Sequence, residues 1–173
     1  MFLHAAVVGN GEPIVFLHTG LQTGMTDFEE QRLYFESGYK VILPDLRGHG
    51  KSVSKELSNY YEDSASDLND TLAHLGVESA YIVGCSIGAL VGLFFAKRFP
   101  EKVKTFTLSG LMPEKPANWS EIHGVMVEQQ NALLENDQIT AYFDQLHGDG
   151  WREFSLSNCM RKKIPISLEK HLI

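Results

Sequence analysis

The chain has 173 residues, of which 43% are hydrophobic and 21% charged, a size and balance typical of one globular domain with a buried core. Its net charge of -7 argues against binding to nucleic acid or to a membrane surface, since both require clustered lysine and arginine. The two cysteines lack metal-binding spacing, the N-terminus lacks a signal-peptide pattern, and no apolar run is long enough to span a membrane, so we expect a cytoplasmic protein.

Short apolar runs alternate with segments of helical spacing through the first part of the chain. The runs with strand character cover residues 2–8, 14–18, 40–43, 80–83 and 103–108. Helical spacing marks residues 27–36, 61–75 and 87–99. This alternation is typical of βαβ units, so the sequence predicts an α/β fold with a mostly parallel sheet of about five strands and helices on both faces.

The pattern changes after Pro113, where no further strand separates the predicted helices at 119–134 and 138–146. We therefore predict three parts: an α/β core over residues 1–115, a helical cap or lid over 116–163, and a stub of a further strand or a disordered tail over 164–173. Lids above the ends of strands are where such folds place substrate selectivity.

The strongest chemical signal is Gly84-Cys85-Ser86-Ile87-Gly88, a G-x-S-x-G pattern that follows a predicted strand and opens a predicted helix. A serine on such a sharp turn projects its hydroxyl above the sheet, and glycine is needed on both sides because a side chain would meet the neighbouring strand or helix. The helix that begins at Ile87 directs its positive end at the serine, where it favours a developing oxyanion. The pattern predicts Ser86 as a nucleophile and the Ile87 backbone N–H as an oxyanion donor, while Cys85 is expected to be a small apolar filler.

Two glycine-containing segments precede this turn. Residues 16–20, with the sequence FLHTG, end the second predicted strand, and residues 45–52, with the sequence DLRGHGKS, follow the third. The second segment predicts a tight turn in which Asp45 and Arg47 are able to pair and hold the loop.

The order and spacing of these three motifs resemble the α/β-hydrolase fold superfamily, in the group of lipases and esterases, enol-lactonases and carbon–carbon hydrolases. The resemblance covers roughly Val7 to Pro113 and a cap-like tail. It implies that Ser86 is the catalytic nucleophile and that Gly20, or a neighbour of it, and Ile87 supply the N–H groups of the oxyanion hole.

The same resemblance implies a strand order in which the first strand lies at one edge, followed by the third, the second, the fourth and the fifth. It also implies that His18 orients its loop, that His49 is not the catalytic base, and that no metal or organic cofactor takes part.

In this family the catalytic acid and histidine come after the serine, each following a strand beyond the cap. The residues after Lys163 leave no room for both loops, so we expect a chain that corresponds to the first part of a hydrolase. The weaker candidates for acid or base are Glu114 after the fifth strand, His123, Asp144, His147 and Asp149 in the cap, and Glu169 and His171 near the C-terminus.

These observations favour a serine hydrolase of a small ester, lactone or related acyl compound that works through an acyl-serine intermediate and is inactive or impaired as this chain. The alternative is a non-catalytic protein that binds a small ligand beneath its cap. The expected partner is a small molecule, with no role for nucleic acid or a membrane, and residues 103–108 could form a homo-oligomer through an exposed sheet edge.

Overall fold

The structure, a computed structural model, describes residues 1–111 and 116–148. Its strands are β1 (Ala5–Val8), β2 (Glu12–Leu17), β3 (Tyr39–Pro44), β4 (Ala80–Cys85) and β5 (Val103–Ser109). Its α-helices are α1 (Gly24–Asp27), α2 (Glu29–Phe35), α3 (Tyr60–His74), α4 (Ile87–Arg98), α5 (Trp119–Leu134) and α6 (Asp137–His147). Two of the predicted segments, 14–18 and 87–99, therefore differ from β2 and α4 by only a few terminal residues.

The five strands form one sheet in the order β1-β3-β2-β4-β5, which is the predicted order. Strand β1 is antiparallel to β3, and the other three pairings are parallel. The carboxyl ends of β2, β3, β4 and β5 therefore lie at one edge of the sheet, which is where α/β folds place their ligands. This edge brings together the ends of the three sequence motifs.

Both faces of the sheet are covered, as the sequence predicts. Because side chains alternate along a strand, the buried residues of β2 and β3 divide between two clusters. One cluster joins the sheet to α3 and α4 and includes Val15, Leu17, Ile42, Leu68, Leu72 and Phe95. The other lies against α2 and includes Ile14, Phe16, Val41, Leu43 and Phe28, with Phe35 packed on it.

The helix predicted over residues 27–36 is instead two helices that meet at Phe28. Thr23 caps α1 through a reciprocal pair of hydrogen bonds with Thr26, which starts this helix earlier than predicted. Phe28 then leaves the helical conformation, and its buried ring packs 5.1 Å from that of Phe16 in the sheet. Burial of the Phe28 ring thus stabilises the protein more at this point than a continuous helix would.

The first strand is shorter than the predicted 2–8. The N–H of Leu3 donates to the hydroxyl of Thr71, and the N–H of His4 donates to the hydroxyl of Ser52. These side-chain acceptors replace a strand ladder, because this segment crosses from the sheet toward α3 and the 45–52 loop.

The region predicted as a cap contains α5, which has the predicted bounds, and α6, which extends slightly beyond the predicted 138–146. The limits of the three predicted parts of the chain stay predictions. Within residues 1–111 and 116–148, no helix combines the length and apolarity required to cross a bilayer.

Candidate functional site

Ser86 lies at the junction of β4 and α4, as the motif predicts, and it is exposed. Its backbone has φ 53° and ψ -115°, a strained conformation for a residue with a side chain. The Ser86 N–H donates to the Ser109 carbonyl at the end of β5 over 2.9 Å, and the Ser86 carbonyl accepts from Leu90 in α4. The turn is therefore fastened to both the neighbouring strand and the following helix.

The glycines on either side of Ser86 are sterically required. A Cβ on Gly84 would lie 2.7 Å from the Gly88 carbonyl oxygen and 2.8 Å from the backbone nitrogen of Ala89. A Cβ on Gly88 would overlap the carbonyl of Leu17 in β2. Helix α4 can consequently approach the sheet closely enough for its first turn to begin immediately after the serine.

His18 joins the loop after β2 to the loop after β3. Its Nε2 accepts the N–H of Leu46 over 2.8 Å, and its Nδ1–H donates to the Thr19 carbonyl over 2.7 Å. The ring is fully buried, and this burial lowers the pKa of His18 to about 4. Because the ring is neutral and uses both nitrogens on backbone groups, it orients the two loops.

The segment around Gly20 has a defined backbone. The Thr19 N–H donates to the Asp27 carboxylate over 2.7 Å, so this N–H is already engaged. Gly20 itself is exposed, with open space around its Cα, and Leu21 has a left-handed φ of 62°. The sequence gives no signal for this role of Asp27, because the chain contains many other acidic residues.

The expected pairing of Asp45 with Arg47 is wrong. Arg47 instead forms a two-point ion pair with Asp67 in α3, at 2.7 and 3.0 Å. Asp45 instead accepts from the backbone N–H groups of Gly24 and Lys51 and so helps to hold the 45–52 loop. The guanidinium fork reaches a carboxylate on a packed helix better than one two residues away on a tight turn.

A second buried histidine, His147, ends α6 and contacts both loops. Its Nδ1 accepts the Gly50 N–H over 2.9 Å, and its Nε2–H donates to the Leu21 carbonyl over 3.1 Å. Burial lowers its pKa below the usual value, although the Leu21 carbonyl and Asp45 oppose this change. The sequence places His147 only among polar cap residues, since nothing local indicates a partner 97 or 126 positions away.

His49 lies between these two rings. Its centroid is 5.0 Å from that of His18 and 5.8 Å from that of His147. The Nδ1–H of His49 donates to the Arg47 carbonyl, and burial followed by the neighbouring His18 lowers its pKa. The three imidazoles form a buried column, here called the histidine column, beneath the loops after β2 and β3.

The other predicted acid or base candidates are dispersed. His123 lies in α5, where its ring stacks on that of Trp119 at 6.1 Å, and Asp144 lies in α6. Glu114, Asp149, Glu169 and His171 lie outside the described residues.

Comparisons with known proteins point to one fold family. The family model described as the alpha/beta hydrolase fold matches residues 12–145. An uncharacterized hydrolase of Bacillus subtilis is 32% identical over 113 residues, which cover 65% of this chain and 39% of the relative. Epoxide hydrolase 3 of Siraitia grosvenorii is 32% identical over 120 residues, covering 66% of this chain and 38% of the relative.

Among solved structures, an esterase from a marine microorganism superposes with a TM-score of 0.65 at 26% identity, over 78% of this chain and 51% of the esterase. The chain thus spans less than half the length of the two curated relatives and about half that of the esterase.

Proposed function

Because this chain belongs to the α/β-hydrolase fold family, we propose that it carries the nucleophile of a serine hydrolase that acts on a small carboxylic ester, lactone or related acyl compound. The Ser86 Oγ attacks the carbonyl carbon as its proton passes to a base, and the alcohol leaves as the acyl-serine forms. Water then attacks the same carbonyl carbon and releases the acid and the free serine.

The observation that carries this proposal is the exposed, strained Ser86 at the carboxyl edge of the sheet. Strained backbone in a residue with a side chain persists only where the surroundings impose it, and such residues concentrate at functional sites. Here the imposed conformation turns a serine to the surface directly before the N-terminus of α4, which favours negative charge.

The choice of an acyl substrate follows from the chemistry of serine. The relatives include epoxide hydrolases, and the structural neighbours include an esterase. A serine that opened an epoxide would form an alkyl ether, which has no carbonyl carbon for water to attack. An acyl-serine is an ester and can be hydrolysed, so Ser86 favours carbonyl substrates over epoxides.

The proposed oxyanion donors are the N–H groups of Ile87 and Gly20. Ile87 is the first residue of α4, whose opening N–H groups have no partner inside the helix. Gly20 is the proposed second donor because the preceding N–H, that of Thr19, is already held by Asp27. No atom lies within 4 Å of the place where a Gly20 Cβ would stand, so the loop is open on that side.

The proposal includes slow turnover by this chain alone. His18 and His147 each use both ring nitrogens on backbone groups, so neither can accept the serine proton without losing a hydrogen bond. Loss of the base and acid of a serine triad lowers kcat by about a millionfold, while the oxyanion hole retains some catalysis.

A fluorophosphonate probe tests the nucleophile directly, because its phosphorus takes the serine Oγ as fluoride leaves. We expect slow labelling at Ser86, located by peptide mass spectrometry, and none in Ser86→Ala. Ser109→Ala is the matched control, because Ser109 is an exposed serine at the same sheet edge without the strained backbone. The wild type should hydrolyse p-nitrophenyl acetate little faster than the Ser86→Ala variant does.

Two results would overturn the proposal. Rapid ester turnover abolished by Ser86→Ala would contradict the slow chemistry and would require a base among the candidate histidines. Thermal stabilisation by acyl ligands without any labelling of Ser86 would favour the alternative, a non-catalytic protein that binds a small ligand.

A further inference from the structure

His147 connects the cap-side helix α6 to two loops of the sheet. It is the last residue of α6, its ring is buried, and it bonds Gly50 on one side and Leu21 on the other. These two contacts are with backbone groups, so they depend on the direction of each peptide and not on a neighbouring side chain. A histidine at this place therefore fixes local backbone geometry in both loops.

The bonded residues both have left-handed backbone, with φ 51° at Gly50 and φ 62° at Leu21. For leucine this conformation is unfavourable and needs external support. The hydrogen bond from His147 to the Leu21 carbonyl supplies such support.

Three hydrogen bonds, here called tethers, hold the backbone around Gly20. Asp27 accepts from the N–H of Thr19, His18 donates to the Thr19 carbonyl in the same peptide group as the Gly20 N–H, and His147 donates to the carbonyl of Leu21. The orientation of these peptide groups is consequently fixed from α1, from the loop itself and from α6 together. Of these three, only the tether from His147 comes from the cap side of the molecule.

We propose that His147 is a positioning residue that, in its neutral form, holds the Gly20 N–H in the orientation required of an oxyanion donor. This inference rests on the proposed function, because that function makes the Gly20 N–H an oxyanion donor. The hydrogen bond from His147 to Leu21 can be measured without any catalysis. It makes the contact of α6 with these two loops a condition for a competent oxyanion site.

The neutral form is required because the two ring nitrogens have opposite roles. Nδ1 accepts the Gly50 N–H while Nε2–H donates to Leu21, and a protonated ring would present two N–H groups. Asp45, His18 and His49 face the ring from the loops, and Asp144 lies one turn earlier on α6. The Leu21 carbonyl and Asp45 favour protonation, while burial opposes it.

Three variants of the full chain separate positioning from general stability. His147→Leu removes both hydrogen bonds. His147→Gln offers one amide oxygen and one amide NH₂, so it can replace the acceptor and the donor but cannot be protonated near neutral pH. Gln145→Ala, at an exposed position of the same helix, is the matched control.

Nuclear magnetic resonance provides the readout that does not depend on catalysis. In the wild type at neutral pH, we expect ¹⁵N shifts of an Nε2–H tautomer for His147 and slow exchange of the Gly50 amide proton. His147→Leu should shift the Gly20 amide resonance and speed Gly50 exchange at least tenfold, whereas Gln145→Ala should change neither. His147→Gln should restore the Gly20 resonance and remove its dependence on acid pH.

The rate of fluorophosphonate labelling provides the second readout. His147→Leu should slow the labelling of Ser86 by roughly ten- to a hundredfold, because small displacements of an oxyanion donor are costly to the transition state. His147→Gln should recover most of this rate. The wild-type rate should fall with His147 protonation at acid pH, while the His147→Gln rate should lack that step.

The possible failures are distinguishable. A wild type that is not labelled, together with the expected resonance changes in His147→Leu, would contradict the proposed function and still establish the contact of His147 with the loops. Normal labelling and an unchanged Gly20 resonance in His147→Leu would overturn the role of His147 and leave Ser86 as the proposed nucleophile. If His147→Leu does not fold, the tautomer of wild-type His147 and the pH profile of His147→Gln still test the positioning role of His147.

Discussion

The turn around Ser86 and the contact around His147 lie near the same edge of the sheet, but they are built differently. The first is a run of five consecutive residues whose two glycines are dictated by the backbone of Leu17 and Ala89. The second joins α6 to the loops after β2 and β3 across separations of 97 and 126 residues. One is a local feature of the chain, and the other exists only in the folded protein.

This difference has a physical consequence. The serine turn is held by steric exclusion and short-range backbone bonds, which no change of pH near neutrality removes. The histidine column is held by neutral imidazoles in buried positions, so its geometry depends on protonation. The two regions should therefore respond differently to mutation and to acid.

The largest expected effect concerns the buried ion pair beside the 45–52 loop. Asp67→Asn removes the carboxylate that binds the mostly buried guanidinium of Arg47 and the N-terminal ammonium group of Met1, and breaking such a buried pair costs about 3–5 kcal/mol. Asp70→Asn, an exposed change on the same helix, should alter the free energy of unfolding by less than about 0.5 kcal/mol. Equal effects of the two changes in urea denaturation would show that the long-range pair adds little.

The second prediction uses acid to separate the two regions. Because the pKa of His18 is about 4 in the folded chain against 6.5 for an unperturbed histidine, the unfolded chain binds the proton first as pH falls. His18 alone should then reduce the free energy of unfolding by about 3 kcal/mol between pH 6.5 and 4, with full stability above that range. Urea titrations at several pH values measure this slope.

His18→Gln should reduce that slope because its amide does not titrate, while His49 and His147 keep their own contributions. Should the substitution prevent folding, the ¹⁵N shift of the His18 ring followed from pH 7 to 4 gives the same information. A ring that became protonated near pH 6.5 without unfolding would contradict the prediction.

Most of the fold can be predicted from the sequence because its determinants are local. The strand runs and the helices at 61–75 and 87–99 alternate in a way that few folds share, and a parallel sheet then has limited orders. The break at Phe28 escapes prediction because one helical pattern spans it. Only the position of Phe16 in the finished sheet explains why this ring turns inward.

The site divides in the same way. The strain at Ser86 and the need for its glycines can be predicted, since both are properties of one short motif. The partner of Arg47 and the role of His147 cannot, because a charged or imidazole side chain does not specify a distant partner. One feature of Asp67 could indicate a buried partner. It is a carboxylate next to Leu68, on the apolar side of α3.

The third prediction measures the steric requirement of the serine turn. Gly88→Ala forces a methyl group onto the Leu17 carbonyl and should destabilise the protein by about 1–3 kcal/mol or more. Gly124→Ala is the control, because this glycine lies inside α5 with open space where the added methyl group would stand, and the change should stabilise the helix by about 0.5–1 kcal/mol. Thermal melts of the two variants should move in opposite directions, and a tolerated Gly88→Ala would refute the steric explanation.

The smallest expected effect on stability concerns β5, which fastens the serine turn through Ser109 and is the last strand of the sheet among residues 1–111 and 116–148. Its residues are largely exposed, and Leu108 is 40% accessible. Lys104 is the one charged residue of β5, and its Nζ donates to Glu12 over 2.9 Å across the sheet face. An edge with β-branched residues whose lysine is already paired can join a second copy of the chain.

We therefore predict concentration-dependent self-association of the wild type, measured by sedimentation velocity or light scattering. Thr107→Lys places a charge on the exposed part of β5 and should shift the protein toward monomer, while changing the free energy of unfolding by less than about 0.5 kcal/mol. If the serine turn is a local feature, fluorophosphonate labelling of Ser86 should be the same in monomer and oligomer, because its backbone is set within one chain. A wild type that stays monomeric at high concentration would contradict the association, and labelling that follows the oligomeric state would show that the turn depends on a neighbour.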